Sequence, residues 1–377
     1  MIATIFLTMI ILGIINHLYL YVTRADNINK QRQSIIEEII KKERKISNYN
    51  VNEEKYTYPL RDYYILSSMN SCVNGESFTD VELNVDTLRD CTRLGCRFLD
   101  FEIYQKDGKP VIAVGEYQNR QRWTSTNVLG FEYVMQKVKE YALSGSSNSP
   151  NYADPLFLSF RIKTLQNNIY DVMAEILESV FGKKLLNNDE INKEYDHLSK
   201  VPLDKLKNKV IIYCKNMNGN DKSFKDTKFE KIVNISKHSS SSSTYDQVVT
   251  YNSAIGTRSA GNLNWTSILN NCKQNICLVF THNEDLTTFN YNKKGHLQNG
   301  VQISPINVSS IKLDVNKSAA KEHWNFFNKN KSAFVLKDEN LRHKPIVIKD
   351  KDIPKQDPRV SYKQRTITTS LGHNFVG

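Results

Sequence analysis

The chain of 377 residues carries 51 Lys and Arg against 40 Asp and Glu, a formal charge of +11, with 40% hydrophobic and 10% aromatic residues. That apolar content excludes wholesale disorder, and the length admits one large α/β domain with extensions or two ordinary domains. The basic balance points to an anionic partner. Lys and Asn recur in every loop, however, in the AT-rich style of a large DNA virus or a parasite, and no aromatic-interleaved basic stripe marks nucleic-acid binding, so an anionic membrane surface is the better partner.

Residues Ile2 to Val22 form a long apolar run broken by Thr4, Thr8, Asn16 and His17. At about 1.5 Å per residue it reaches across a hydrocarbon core of roughly 30 Å. Residues 1–23 are therefore predicted to be an uncleaved transmembrane anchor. A signal peptide would want basic residues after Met1 and a better cleavage site than Thr23-Arg24-Ala25. Arg24, Lys30, Arg32, Lys41 and Lys42 follow the run, so the positive-inside rule predicts a single-pass membrane protein with its bulk in the cytosol. The six cysteines show no disulfide-framework spacing and read as reduced, buried thiols. Cys272 and Cys277 would make half a zinc site, without a matching pair nearby.

Residues 24–55 are polar, with Ile35, Ile36, Ile39 and Ile40 at helical spacing, and read as a juxtamembrane stalk. Tyr63 to Leu66 reads as a strand and Thr79 to Leu94 as a helix capped by Thr79. Gly95 to Tyr104 and Val111 to Val114 then flank Asp107-Gly108, the signature of a hairpin. Asn127–Leu143 and Asn168–Phe181 are amphipathic helices, the second stopped by Gly182. Pro155–Phe160 and Lys209–Tyr213 are near-continuous apolar strands. Such runs alternating with helices argue for a parallel sheet, in a barrel or a doubly wound fold. About residues 216–245 a Ser-rich insertion is predicted to be disordered. Order resumes at Ile276–Phe280, Val301–Ile303, Trp324–Phe327 and Ala333–Leu336, and 349–377 is a basic tail.

Asp100 and Glu102 alternate with Phe101, so both carboxylates leave one face of one strand. Buried there, they require a metal, charged partners or solvent at a barrel mouth.

The ordered set Ser67-Ser68-Met69-Asn70, Gly95-Cys96-Arg97, acidic–apolar–acidic at 100–102, Asp107-Gly108 and Pro110-Val111-Ile112 resembles eukaryotic-type phosphoinositide-specific phospholipase C. The resemblance continues through Lys137–Tyr141, Pro155–Ser159, Asn299–Gln302 and Phe334–Lys337, spanning about residues 56–346. It implies a TIM-like (β/α)8 barrel over 56–348, distorted in places and interrupted by the Ser-rich insertion. It also implies two catalytic histidines, suited to proton transfer because imidazole titrates near neutrality. Met69 stands at the first position and Glu116, approximately, at the second, and no histidine occurs between His17 and His197. The family's Ca²⁺ site would fall on Asn70, Asp100 and Glu102, but its last acid is replaced by Arg161, a cation that repels Ca²⁺ and can pair with the acids. Lys215 matches a phosphate-gripping lysine, while Tyr213 occupies the other such position.

The resulting expectation is a membrane-anchored, catalytically inactive phospholipase-C-like protein with a binding or structural role and no required cofactor. Two alternatives stand beside it. One is a phosphoric diester hydrolase or lyase of altered mechanism that uses Glu116, Asp100 and Glu102 with a metal. The other is a module that binds anionic phospholipid headgroups through Lys215 and neighbouring lysines.

Overall fold

The apolar strands pair in parallel, and the chain repeats the pattern until the sheet closes on itself. The computed structural model describes residues 2–74, 81–115, 122–145, 148–164, 168–216, 224–236, 246–252, 265–280, 294–308, 319–344, 366–368 and 374–376. Ser67–Ser68 pairs with Phe98–Lys106, which pairs with Leu156–Ile162, which pairs with Val210–Asn216. Ile235–Ser236, Asp246–Asn252 and Ile276–Phe280 follow, every pairing parallel. Parallel bridges Leu278↔Ile303, Ile65↔Ile303 and Ser68↔Ile306 complete the ring. Two hydrogen bonds support them: Val279 N–H to the Ile303 carbonyl at 3.0 Å and Met69 N–H to the Ile306 carbonyl at 2.9 Å. Closure pairs the backbone groups that an open sheet would leave at its edges.

Helices Val85–Arg93, Phe131–Ala142, Ile169–Phe181, Trp265–Gln274 and Ala319–Lys329 lie in the connections between strands, as a parallel sheet demands. The period of two in each strand sorts side chains between this outer layer and the barrel interior. Phe101 and Phe160, ring centroids 6.2 Å apart, belong to the outer set, and Phe160 meets Phe131 of a surrounding helix at 5.3 Å. Phe98, Phe157 and Phe334 stack across the interior toward its lower end, at 6.5 and 6.4 Å. The inward row above them is polar.

The predicted hairpin forms: Phe98–Lys106 runs antiparallel to Lys109–Ala113, with Lys106 opposite Lys109. Asp107 (φ +51°) and Gly108 (φ +75°) both take the left-handed conformation that a two-residue turn of this hand needs. The first helix begins later than predicted. Val73 pairs with Leu83 in a short antiparallel ladder, and the Asn84 side chain, not Thr79, caps the helix by accepting from Asp86 N–H at 2.8 Å.

The N-terminal expectation is corrected. Among the described residues no helix is long and apolar enough to cross a membrane. This overturns the predicted anchor at residues 1–23 and, with it, the single-pass placement with a cytosolic bulk. One helix runs unbroken from Ile2 to Lys42. Its first half is interrupted by the polar residues Thr4, Thr8, Asn16 and His17. Nor is the segment after it a free stalk. Ile36, Ile39 and Ile46 are buried in the main core. Glu37 pairs with Arg93 on the first barrel helix, and Glu43 with Lys321 on the last at 2.6 Å. The segment thus ties the two ends of the ring together.

The region read as a disordered insertion contains order. Residues 224–236 supply the helix Lys228–Ile232 and the barrel strand Ile235–Ser236. Phe224 and Phe229 anchor it against Tyr170, at 6.0 and 5.7 Å. Residues 217–223 and 237–245 lie outside the described set. The chain divides into a unit from Met1 to Arg342 and another from His343 to Gly377. In the second, which holds the predicted tail, Thr366–Thr368 pairs antiparallel with Asn374–Val376.

Candidate functional site at the barrel mouth

The register of three adjacent parallel strands places Asp100 beside Ser159 and Tyr213, and Glu102 beside Arg161 and Lys215. All lie toward the carboxyl ends of their strands, the end at which barrels of this kind carry their sites. The loop after Ser67–Ser68 delivers Met69 and Asn70. Asn70 has φ +46°, a conformation Asn tolerates better than most residues. Its N–H donates to Asp100 Oδ2 at 3.2 Å, which holds the turn over the strand end.

At the centre of this group is Arg161. Its Nε donates to Asp100 Oδ1 and Oδ2 at 3.0 and 3.1 Å, and Nη2 donates to Asp100 Oδ2 at 2.7 Å. Nη1 donates to Glu102 Oε1 at 2.7 Å, and Nη2 also donates to Asn70 Oδ1. Asp100 further accepts from Ser159 Oγ at 2.8 Å. The second oxygen of Glu102 accepts from the Tyr104 hydroxyl at 3.1 Å and Gly115 N–H at 3.2 Å, with Lys163 Nζ 3.7 Å away. The two acids, Arg161, Lys163 and Asn70 are all buried.

Burial alone would raise the Glu102 carboxyl. The nearby Lys163 and Arg161 charges, with the Gly115 and Tyr104 donors, outweigh it and hold Glu102 below the ordinary carboxylate range. Burial likewise opposes the Arg161 charge, and Asp100 and Glu102 reverse that effect, raising Arg161 above its ordinary value. Tyr104 is pushed up, first by burial and then by the Glu102 charge, so its hydroxyl remains a donor. The cluster is therefore a charged, hydrogen-bonded plug. Glu102, held low, is not poised to take a proton near neutrality.

Asn70, Asp100 and Glu102, the residues resembling calcium ligands, do converge, but they converge on a guanidinium. Every hydrogen bond Arg161 makes to them uses an oxygen that Ca²⁺ would need at about 2.3–2.6 Å. The residues present do not fit the metal. Met69, which the resemblance sets where a catalytic histidine would be expected, is buried at 3% exposure and can neither donate nor accept a proton. Glu116 lies outside the described residues. Lys215 stands in the same row as Arg161, half-buried at the strand end. Lys163 and Tyr104 escaped the sequence reading. The alternation Arg161-Ile162-Lys163 was the available signal for the first, since it puts two cations on one strand face.

Among the described residues no group of three His, Cys, Asp or Glu side chains is disposed to hold a metal ion. Cys272 and Cys277 are buried free thiols. Lys337 Nζ donates to the Cys272 carbonyl at 2.9 Å beside them.

Comparison with known proteins bears on the barrel that carries this cluster. Residues 56–216 match the family described as phosphatidylinositol-specific phospholipase C, X domain. Human 1-phosphatidylinositol 4,5-bisphosphate phosphodiesterase gamma-2 is 30% identical over 138 residues, which cover 36% of this chain and 10% of the relative. The delta-3-A enzyme of Danio rerio is 28% identical over 172 residues, covering 43% of this chain and 18% of the relative. The crystal structure of L. pealei PLC21 superposes with a TM-score of 0.60 at 18% identity, over 80% of this chain and 39% of that one. The chain thus matches small parts of much longer relatives. It carries a phosphatidylinositol-specific-phospholipase-C-like barrel, whose first half matches by sequence and whose ring as a whole matches by fold.

Proposed function

We propose that this barrel no longer cleaves phosphodiesters and serves as a binding module for an anionic, phosphorylated headgroup. The carrying observation is the ion pairing of Arg161 with both Asp100 and Glu102, which occupies the carboxylates that the resemblance would assign to Ca²⁺. Buried Met69 supports the same reading, because an inositol hydroxyl placed there would meet no base. Arg161 and Lys163 are committed to the acids. Lys215, half-buried on the same strand row, is a cation that a phosphate at the mouth would meet.

The test is hydrolysis of phosphatidylinositol and its 4,5-bisphosphate by the full chain, with Ca²⁺ and with chelator, beside binding of the soluble inositol phosphate. The expected result is no turnover in either condition, with binding that weakens on Lys215→Ala and at high salt. Turnover would overturn the inactive reading, and binding indifferent to Lys215 and to salt would remove the headgroup role.

A further inference from the structure

The misfit between this centre and a metal has a direct electrostatic basis. Two buried carboxylates, Asp100 and Glu102, face two buried cations, Arg161 and Lys163, so the cluster is neutral within itself. A divalent ion added to it would bring two uncompensated charges into a site where neither acid is more than 2% exposed, at a cost of several kcal/mol per buried charge. Resting on the reading of the barrel as non-catalytic, we propose that Arg161 is a resident cation that makes this centre indifferent to divalent metal, and that the oxygen cage it holds becomes a Ca²⁺ site when the guanidinium is replaced by a carboxylate.

Three features carry the second half of the statement. Asn70 Oδ1, from the loop after Ser67–Ser68, and Asp100 and Glu102, two residues apart on one strand, converge on a single planar group, so their oxygens already face one point. Asn70 is held with φ +46°, and among the described residues its buried Nδ2 makes no hydrogen bond, so the side chain is fixed by what its oxygen faces. The donors are all hard oxygens, which favours Ca²⁺ over metals that seek sulfur or nitrogen. Replacing Arg161 with Glu leaves three carboxylates against Lys163, two net negative charges that one Ca²⁺ neutralises. Replacing it with Gln leaves one, a weaker site.

The experiment compares thermal unfolding of the full-length wild type, Arg161→Glu and Arg161→Gln in chelator and in millimolar Ca²⁺. The wild type is expected to unfold at the same temperature in both. Arg161→Glu is expected to gain on the order of 5 °C once Ca²⁺ exceeds its dissociation constant about 100-fold, and Arg161→Gln less. If Arg161→Glu does not fold in chelator, recovery of the folded far- and near-ultraviolet spectra on refolding with Ca²⁺ is the supporting result. A wild type stabilised by Ca²⁺ overturns the proposal. So do two variants that respond to Ca²⁺ neither in unfolding temperature nor in refolding. Failure here is distinguishable from failure of the functional reading. Hydrolysis by the wild type in chelator would sink the inactive assignment and leave this inference standing, whereas Ca²⁺ stabilisation of a wild type without turnover would do the reverse.

Discussion

Removing one carboxylate from the mouth cluster is the sharpest probe of whether it is a dry, fully paired plug. Asp100 is the better target, because four of its accepted hydrogen bonds come from two side chains: three from Arg161 at 2.7–3.1 Å and one from Ser159 at 2.8 Å. Asp100→Ala leaves Arg161 with Glu102 and Asn70 as acceptors, strips the Ser159 hydroxyl of its acceptor and unties the Asn70 N–H. Breaking a buried pair from one side costs about 3–5 kcal/mol, because the partner charge stays buried. Ser159 then has to find another acceptor, and an orphaned hydroxyl adds about 1–3 kcal/mol. A loss of roughly 4 kcal/mol or more is therefore expected by urea denaturation, with unchanged m-value. The companion variant Asp100→Leu/Glu102→Leu/Arg161→Met removes the charges together and is expected to lose far less than Asp100→Ala, because no charge is left stranded. A single-site cost below about 1 kcal/mol, or a triple variant worse than the single, would refute the reasoning.

Other consequences are open to measurement. Asp154 is pushed up to about 7, first by burial and against the Arg97 charge and the Tyr49 N–H it accepts. A group whose folded pKa lies above its unfolded value binds its proton in the fold, so stability should fall as pH rises from about 4 to 7, and Asp154→Asn should flatten that slope in denaturation curves taken across the range. Glu102 is held low and acts in the opposite sense: its contribution is present above the ordinary carboxylate range and is lost as pH falls below it, which Glu102→Gln should remove from acid-unfolding curves. Gly95→Ala should destabilise by about 1–3 kcal/mol in thermal melts, since φ is +95° there and a Cβ would stand 2.8 Å from the Ile46 side chain. Met69→His alone should yield no phosphatidylinositol hydrolysis, because Arg161 still holds both acids.

The fold was legible where local chemistry and long runs agreed. Asp107-Gly108 declared its turn, and the apolar runs Pro155–Phe160 and Lys209–Tyr213 declared strands that the structure extends to Leu156–Ile162 and Val210–Asn216. Periodicity alone left a barrel and a doubly wound sheet both open, because closure depends on Ser67–Ser68, Ile303 and Ile306, segments too short to show a period; the resemblance was what pointed to the barrel. The strand at 235–236 was hidden for the same reason, beside a serine tract that dominates the composition. The helix start at Val85 lost to Thr79 in the sequence reading because pairing of Leu83 with Val73 is a tertiary choice that capping signals do not encode. The anchor was inferred from the length and hydropathy of Ile2–Val22 and its basic flank, whereas the docking of the helix's continuation through Glu37 and Glu43 is a tertiary outcome that composition does not encode.

The site was legible through one substitution. Asp100 and Glu102 on one strand face are ambiguous by themselves, since a metal, a cation or solvent would satisfy them equally. Arg161 removes the ambiguity because the parallel register sets it opposite Glu102, with Asp100 one row below, and a guanidinium can fork between two rows where an ammonium cannot. A cation on a neighbouring strand thus supplies from within the barrel the charge and geometry that satisfy both acids. With Arg161 present, losing either carboxylate strands a buried charge, so stability alone is enough to hold both acids in place.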